Sequence, residues 1–303
     1  GGYFELELPH GHAYYRNALE LNTARNAFEY IIKAKGYKKV YLAYYTCDVL
    51  LQPLRKLGVK YEFYSINAHF MPCFDFKKVK DHEVFLYTNY FGICDTQVKK
   101  VSSVCKNVII DNSQAFFSRP LKGVDTFYSP RKFFGVSDGS YLFTDNYIDE
   151  VFEQDLSLNR FEHLLGRIEY SPSEFYEIFK LNDEQLNNQP IRKMSKLTNR
   201  ILQGIDYKFI AKTRRSNFLF LHEKLKSFNI LNINLSRNSV PMIYPFFVRN
   251  GQEIRNVLIN NGVFVAKNWP NDTQWLDDAS SIEHEFTNNL LALPIDQRYN
   301  HED

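Results

Sequence analysis

Apolar and polar positions follow two rhythms along this chain. From residue 24 the apolar side chains are Ala24, Ala27, Phe28, Ile31 and Ile32. That is the 3.6-residue period of a helix with one buried face, and it ends near Gly36. Asn22 or Thr23 supplies its N-cap. Short β-branched or aromatic runs bounded by turn formers predict strands at 39–45, 59–66, 84–88, 108–111, 126–128 and 141–144. Helical patterns at 49–57 and 95–105 fall between them, so the rhythm predicts a parallel, doubly wound sheet. Residues 3–20 read as an irregular arm with a short strand.

The second half of the chain is less regular. Residues 147–187 are helical in composition and rich in charge and asparagine, and residues 191–218 read as one long helix. From about residue 219 the pattern changes to a strand at 241–248, a helix at 252–261 ended by Gly262 and a strand at 263–265. A helix at 280–290 and an apolar run at 291–295 follow. The expected organisation is a large domain over 1–215 and a small α+β domain over 216–303.

Composition narrows the function classes. The formal net charge of +2 over 303 residues gives no case for nucleic acid or a polybasic membrane surface. No apolar run is long enough to cross a bilayer and no signal-peptide pattern opens the chain, so a cytoplasmic protein is expected. Cys47, Cys73, Cys94 and Cys105 form no CxxC pair, and His10 and His12 have no partner cluster, so no metal site is expected. The 26 Phe and 20 Tyr are read as aromatic core packing.

The candidate chemistry lies between residues 108 and 139. If the strands at 108–111 and 126–128 run parallel, Asp111 and Lys132 sit near one sheet edge, where α/β folds bind ligands. A lysine to form a Schiff base and an acid to keep a pyridine nitrogen protonated are what pyridoxal phosphate (PLP) requires.

The run Asp111-Asn112-Ser113-Gln114, then Ser129-Pro130-Arg131-Lys132 closing on Gly135 and Gly139, resembles the DegT/DnrJ/StrS aminotransferases. These are fold-type I PLP enzymes that mostly act on nucleotide-linked keto sugars. The resemblance covers residues 21–146 and 189–303. It implies an α/β fold-type I PLP-transferase, with a mostly parallel sheet between helices and the smaller α+β domain at the C-terminus. It also implies a homodimer with shared active sites, and an amino-acid donor, glutamate, working with a keto-sugar acceptor.

Residue by residue, the resemblance makes Lys132 the Schiff-base lysine and proton-transfer base, and Asp111 the partner of the pyridine nitrogen. Gln114 would hold the phenolic oxygen or a ring face. Thr23 and Ala24 match the phosphate segment, with Asn22 in its glycine slot and Arg25 beside it as a clamp. Ser129 is a phosphate candidate, although the family's serine slot holds Phe127. Cys47 occupies the slot of the ring-stacking aromatic, so Tyr45 or Tyr44 stacks instead, or Cys47 itself lies against the ring. Asn89 and Tyr90 would line the pocket, and Arg131 could bind an acidic substrate group. The asparagine that reaches the partner's site corresponds to Gln189 or a shifted Asn188, with Arg192 or Lys193 serving the phosphate in trans. Two other readings stay open. One is PLP-dependent dehydration, against which Lys132 argues. The other is a non-catalytic or regulatory protein on the same scaffold.

Overall fold

The computed structural model describes residues 2–270 and 272–303. Its first strand, β1 (Leu19–Leu21), ends the N-terminal arm and leads into helix α1 (Ala24–Lys35). Thr23 caps α1, its Oγ1 accepting from the Asn26 N–H at 3.1 Å. Gly36 closes it at φ 66, a left-handed conformation that glycine adopts without Cβ strain. Strand β2 (Lys39–Ala43), helix α2 (Leu51–Leu57), strand β3 (Lys60–Ile66), the two-residue β4 (Pro72–Cys73) and strand β5 (Glu83–Thr88) follow. Next come helix α3 (Asp95–Val104) and strands β6 (Val108–Asp111), β7 (Asp125–Tyr128) and β8 (Ser140–Phe143).

These strands form one eight-stranded sheet in the order β1-β8-β7-β6-β5-β2-β3-β4. The inner strands β3, β2, β5, β6 and β7 are parallel, and β8 returns antiparallel to β7. The sheet is the mostly parallel one expected. Strands β2, β5, β6 and β7 are buried on both faces, as crossover helices require, while β3 is exposed over its first three residues. Phe28, Ile31 and Ile32 of α1 and Leu51 and Leu54 of α2 pack on one face with Val40, Leu42 and Leu86. Val98 and Val101 of α3 pack on the other with Phe85, Tyr87 and Ile110.

The segment after β8 departs from expectation. Residues 147–157 have no helix and only one isolated bridge, at Gln154, and helices α4 (Glu162–Glu169) and α5 (Tyr176–Gln185) come later. The long helix expected at 191–218 is three pieces. Residues 191–195 are extended, with Lys193 bridging to Leu21 and to Gln154. Helix α6 (Lys196–Gln203) then starts on a Ser195 cap, and α7 (Tyr207–Leu225) on an Asp206 cap that accepts from Phe209 N–H at 2.9 Å. The break has a steric origin, because the N-terminal arm crosses there. A Cβ on Gly204 would meet the Pro9 carbonyl oxygen at 3.1 Å, and one on Gly11 would meet the Gln203 oxygen at 2.2 Å.

Helix α7 runs through residue 215 without interruption, so the expected domain boundary falls inside it. Beyond it, strand β9 (Ile243–Phe247), helices α8 (Gly251–Asn260), α9 (Asp272–Trp275) and α10 (Ile282–Asn289), and strand β10 (Leu290–Pro294) follow. β9 and β10 pair antiparallel as a separate two-stranded sheet. The strand expected at 263–265 is reduced to a single bridge between Ala266 and Ala292. No helix among the described residues is long and apolar enough to cross a membrane.

Candidate active site

β6 ends at Asp111, directly opposite Phe127 on β7 and Thr88 on β5. Asp111 is 6% exposed and accepts a hydrogen bond from the Ser113 N–H at 2.8 Å. Burial pushes its carboxyl above the usual carboxylate range, and the Ser113 donors and the nearby Lys132 ammonium temper that shift. Thr88 Oγ1 is buried beside it with no hydrogen-bond partner among the described residues.

Past the end of β7 the chain makes one turn of 3-10 helix over Pro130–Lys132, which carries Lys132 to the same end of the sheet. The next carbonyl is fixed from outside. Phe133 O accepts from Arg214 Nη2 at 3.3 Å and from Gln297 Nε2 at 2.9 Å. Arg214 lies on α7 and Gln297 follows β10, so distant parts of the chain hold the lysine turn. Gly139, at φ 100, is needed here because a Cβ would come within 3.0 Å of Thr198 Cγ2 and 3.3 Å of Pro130 Cγ.

Asp111 and Lys132 open onto a cleft of about 530 Å³ between the large sheet and the residues after α7. Of the residues expected there, the cleft brings together Thr23, Ala24 and Arg25 at the start of α1, Cys47, Gln114, Ser129 and Arg131. Gln114 Oε1 accepts from the Phe91 N–H at 3.0 Å, which leaves its amide N–H donors for other partners. Burial pushes the Cys47 thiol up, and Lys132 and Arg25 draw it back down.

Four expected residues lie elsewhere. Tyr45 is fully buried behind the cleft, edge-on to Trp269 at 4.8 Å and packed on Tyr90 and Phe286. Tyr90 is equally buried and donates its hydroxyl to the Tyr45 carbonyl at 3.0 Å. Asn89 is spent on the protein, donating to Asp95 Oδ1 and Asn112 Oδ1 and accepting from the Cys94 N–H. Tyr44 stacks on Phe63 at 5.1 Å. Tyrosine hydroxyls at strand ends are commonly consumed by such core bonds, and the sequence alone does not reveal it.

The departures from the family pattern have local causes. Asn22, in the glycine slot, is 1% exposed and ties three segments together. Its carbonyl accepts from Gly139 N–H at 2.7 Å, its Nδ2 donates to the Pro190 carbonyl, and its Oδ1 accepts from Arg192 N–H. Phe127 packs against Phe28, with ring centroids 5.9 Å apart, inside the helix-side core. Gln189 Oε1 accepts from Arg192 Nη1, and Lys193 bridges to β1.

Sequence reasoning missed the roof of the cleft. α5 brings Phe179 and Asp183 to its mouth, and Arg131 Nη1 donates to Asp183 Oδ1 at 2.6 Å. Arg131, Arg25 and Lys132 outweigh burial and hold the Asp183 carboxyl below its ordinary range. Below α5, Asp138 is fully buried. Arg160 donates to it through Nε at 2.9 Å and Nη2 at 2.6 Å, and Thr198 Oγ1 donates at 2.5 Å. Arg160 Nη2 also reaches Asp155 Oδ2 at 2.5 Å. This buried cluster anchors the segment after β8 beside the cleft. Arg214 and Trp269 were missed too, since neither lies in a local motif.

No family model matches the sequence, and no curated protein matches it. Solved structures do. DesV of S. venezuelae, in complex with a ketimine intermediate, matches with a TM-score of 0.64 at 14% identity. That match covers 94% of this chain and 81% of DesV. This chain has the fold of the sugar aminotransferases. The putative sugar aminotransferase Spr1654 of Streptococcus pneumoniae, in its PMP form, gives a TM-score of 0.64 at 13% identity, over 94% of this chain and 82% of that one. A DegT DnrJ EryC1 StrS aminotransferase of Brucella abortus gives 0.61 at 11%, over 94% and 82%. In this sugar-aminotransferase fold the cleft lies where parallel strands end, the general ligand position of open α/β sheets.

Proposed function

We propose that this protein is a PLP-dependent aminotransferase of the DegT/DnrJ/StrS type. It would transfer an amino group from an amino acid, glutamate, to the keto group of a nucleotide-linked sugar. The observation that carries the reading is the placement of Asp111 and Lys132 at the same end of the sheet, in one cleft with the start of α1. The donor set fits the cofactor. A buried carboxyl with no ion pair among the described residues suits a pyridine nitrogen, and the helix N-terminus at Thr23–Arg25 suits a phosphate. The orphaned Thr88 Oγ1 gives a further polar atom to satisfy.

PLP, when bound, supplies an aldehyde carbon that carries the amino group and a ring that stabilises negative charge. The chain's own residues do the rest. Asp111 holds a proton on the ring nitrogen. Lys132 Nζ would hold the cofactor through its aldehyde carbon and would serve as the base that moves a proton at the substrate carbon. Gln114 donates to the phenolic oxygen, while Thr23, Ala24, Arg25 and Ser129 receive the phosphate. Cys47 borders the ring, and Arg131 faces the substrate. The reading includes a cytoplasmic homodimer with sites completed across its two-fold interface, and a division into large and small domains.

The test is a visible absorption spectrum with and without added PLP, followed by borohydride and mapping of the modified residue. A band fixed onto Lys132 is expected. No band in excess PLP overturns the reading. Cys47 in the aromatic slot and Phe127 in the serine slot favour a second reading, a protein that holds PLP without turnover. In that case the band forms and glutamate does not change it.

A further inference from the structure

Four cationic side chains border the cleft, namely Arg25, Arg131, Lys132 and Arg214. Three have work assigned by their surroundings. Arg214 donates to two backbone carbonyls, of Met242 at 2.9 Å and Phe133 at 3.3 Å. Arg25 lies at the start of α1 and bonds Asn187 and Gln52. Lys132 is the attachment residue of the reading above. Of the acids, Asp111 lies at the strand end, Asp138 is spent on Arg160 and Thr198, and Asp296 is held by Arg298 two residues on. That leaves one pair, Arg131 and Asp183, joined by a single hydrogen bond of 2.6 Å.

The two members differ in how they are held. The Arg131 side chain is 20% exposed, adjoins Lys132 in sequence and is fixed by the turn after β7. The Asp183 side chain is 50% exposed and belongs to α5, which leaves Tyr176 and Leu181 in contact with water. A half-exposed ion pair of one hydrogen bond is weak and easily exchanged. It uses one of the five N–H donors of a guanidinium, whose fork is shaped for two parallel bonds to a carboxylate. A free carboxylate entering the cleft can therefore offer Arg131 a better partner than Asp183 does.

We propose that Arg131 is the carboxylate subsite of this cleft and that Asp183 is a built-in competitor for it. Asp183 helps hold α5 over the mouth, beside the Asn182 bond to the Ser137 carbonyl, until the carboxylate of an α-amino or α-oxo acid takes its place. The choice of that substrate class rests on the aminotransferase reading. Asp183 is then a specificity-determining residue. It sets how strongly an incoming acid must bind Arg131 before the pair with Asp183 gives way.

The experiment is a calorimetric titration with glutarate, an unreactive dicarboxylate, on wild type, Arg131→Gln, Arg131→Lys and Asp183→Asn, each with and without PLP. Arg131→Gln is expected to weaken glutarate binding at least about tenfold, in line with loss of charge-assisted hydrogen bonds. Arg131→Lys is expected to fall between. Asp183→Asn is expected to tighten binding by about two- to fivefold, the worth of an exposed ion pair. Amide exchange across Tyr176–Gln185 should rise with glutarate in wild type and already be raised in Asp183→Asn. Glutarate affinity that ignores Arg131→Gln, or that weakens in Asp183→Asn, overturns the proposal. So does exchange in α5 that does not respond. Glutarate binding through Arg131 without uptake of PLP would overturn the cofactor reading instead and leave the latch standing.

Discussion

Asp111 and Phe127 are register partners on adjacent parallel strands, one ending in a buried carboxyl and the other in a buried ring. The carboxyl faces the cleft, and the ring packs on Phe28 beneath it. The pair sets the floor of the site, so substitutions at the two positions separate binding from stability.

Asp111→Asn should stabilise the cofactor-free protein while weakening PLP retention. The folded-state pKa of Asp111 is raised by burial. Its contribution to stability is therefore fully present below the unfolded value of about 3.9 and is lost as pH rises through the folded value. At neutral pH the buried charge is a cost that asparagine removes. Thermal melting of both proteins without PLP at about pH 7 should show the higher Tm for Asp111→Asn. PLP release by dialysis should be about ten- to a hundredfold faster, the worth of a charged hydrogen bond.

Phe127→Ser would restore a hydroxyl at the family's position. It should not tighten PLP, because the ring at the cleft floor is held in the helix-side core against Phe28 and its loss leaves a gap there. The expected result is a loss of about 3–5 kcal/mol in urea unfolding, from deletion of a fully buried aromatic.

Asp138→Ala leaves Arg160 beside Asp155 with its main partner gone. Breaking a buried pair on one side costs about 3–5 kcal/mol. Limited proteolysis should then cut the segment after β8 before the large sheet unfolds.

His163 on α4 is buried edge-on to Phe179, 5.7 Å between centroids, and burial together with Arg131 lowers its pKa. The neutral ring contributes stability that is present above the unfolded value of about 6.5 and is lost as pH falls through the lower folded value. Wild-type Tm should drop more steeply than that of His163→Gln between about pH 7 and about pH 5.

Much of the large sheet was legible because its strands are short apolar runs separated by periodic helices. The lysine turn was legible too, because Asp111, Gln114 and Lys132 lie in one local stretch. The misses share a physical cause. Asn89 and Tyr90 follow a strand end, yet their polar atoms are consumed by bonds inside the protein, and the Tyr45 ring is packed among Tyr90, Trp269 and Phe286. Gly204 and Asp206 carry helix-stop and helix-start chemistry inside an otherwise periodic stretch, so the arm's crossing split what read as one helix. Asp183 and Arg160 belong to a segment without a motif, and only tertiary packing gives them roles.

The carbonyl of Phe133 has a mechanical consequence. Arg214 grips it from α7 and also holds Met242 ahead of β9, while Gln297 grips it from beyond β10. The two-stranded sheet is thereby geared to the residue next to Lys132. A swing of the two-stranded sheet must either slip those three bonds or shift the turn that carries Lys132.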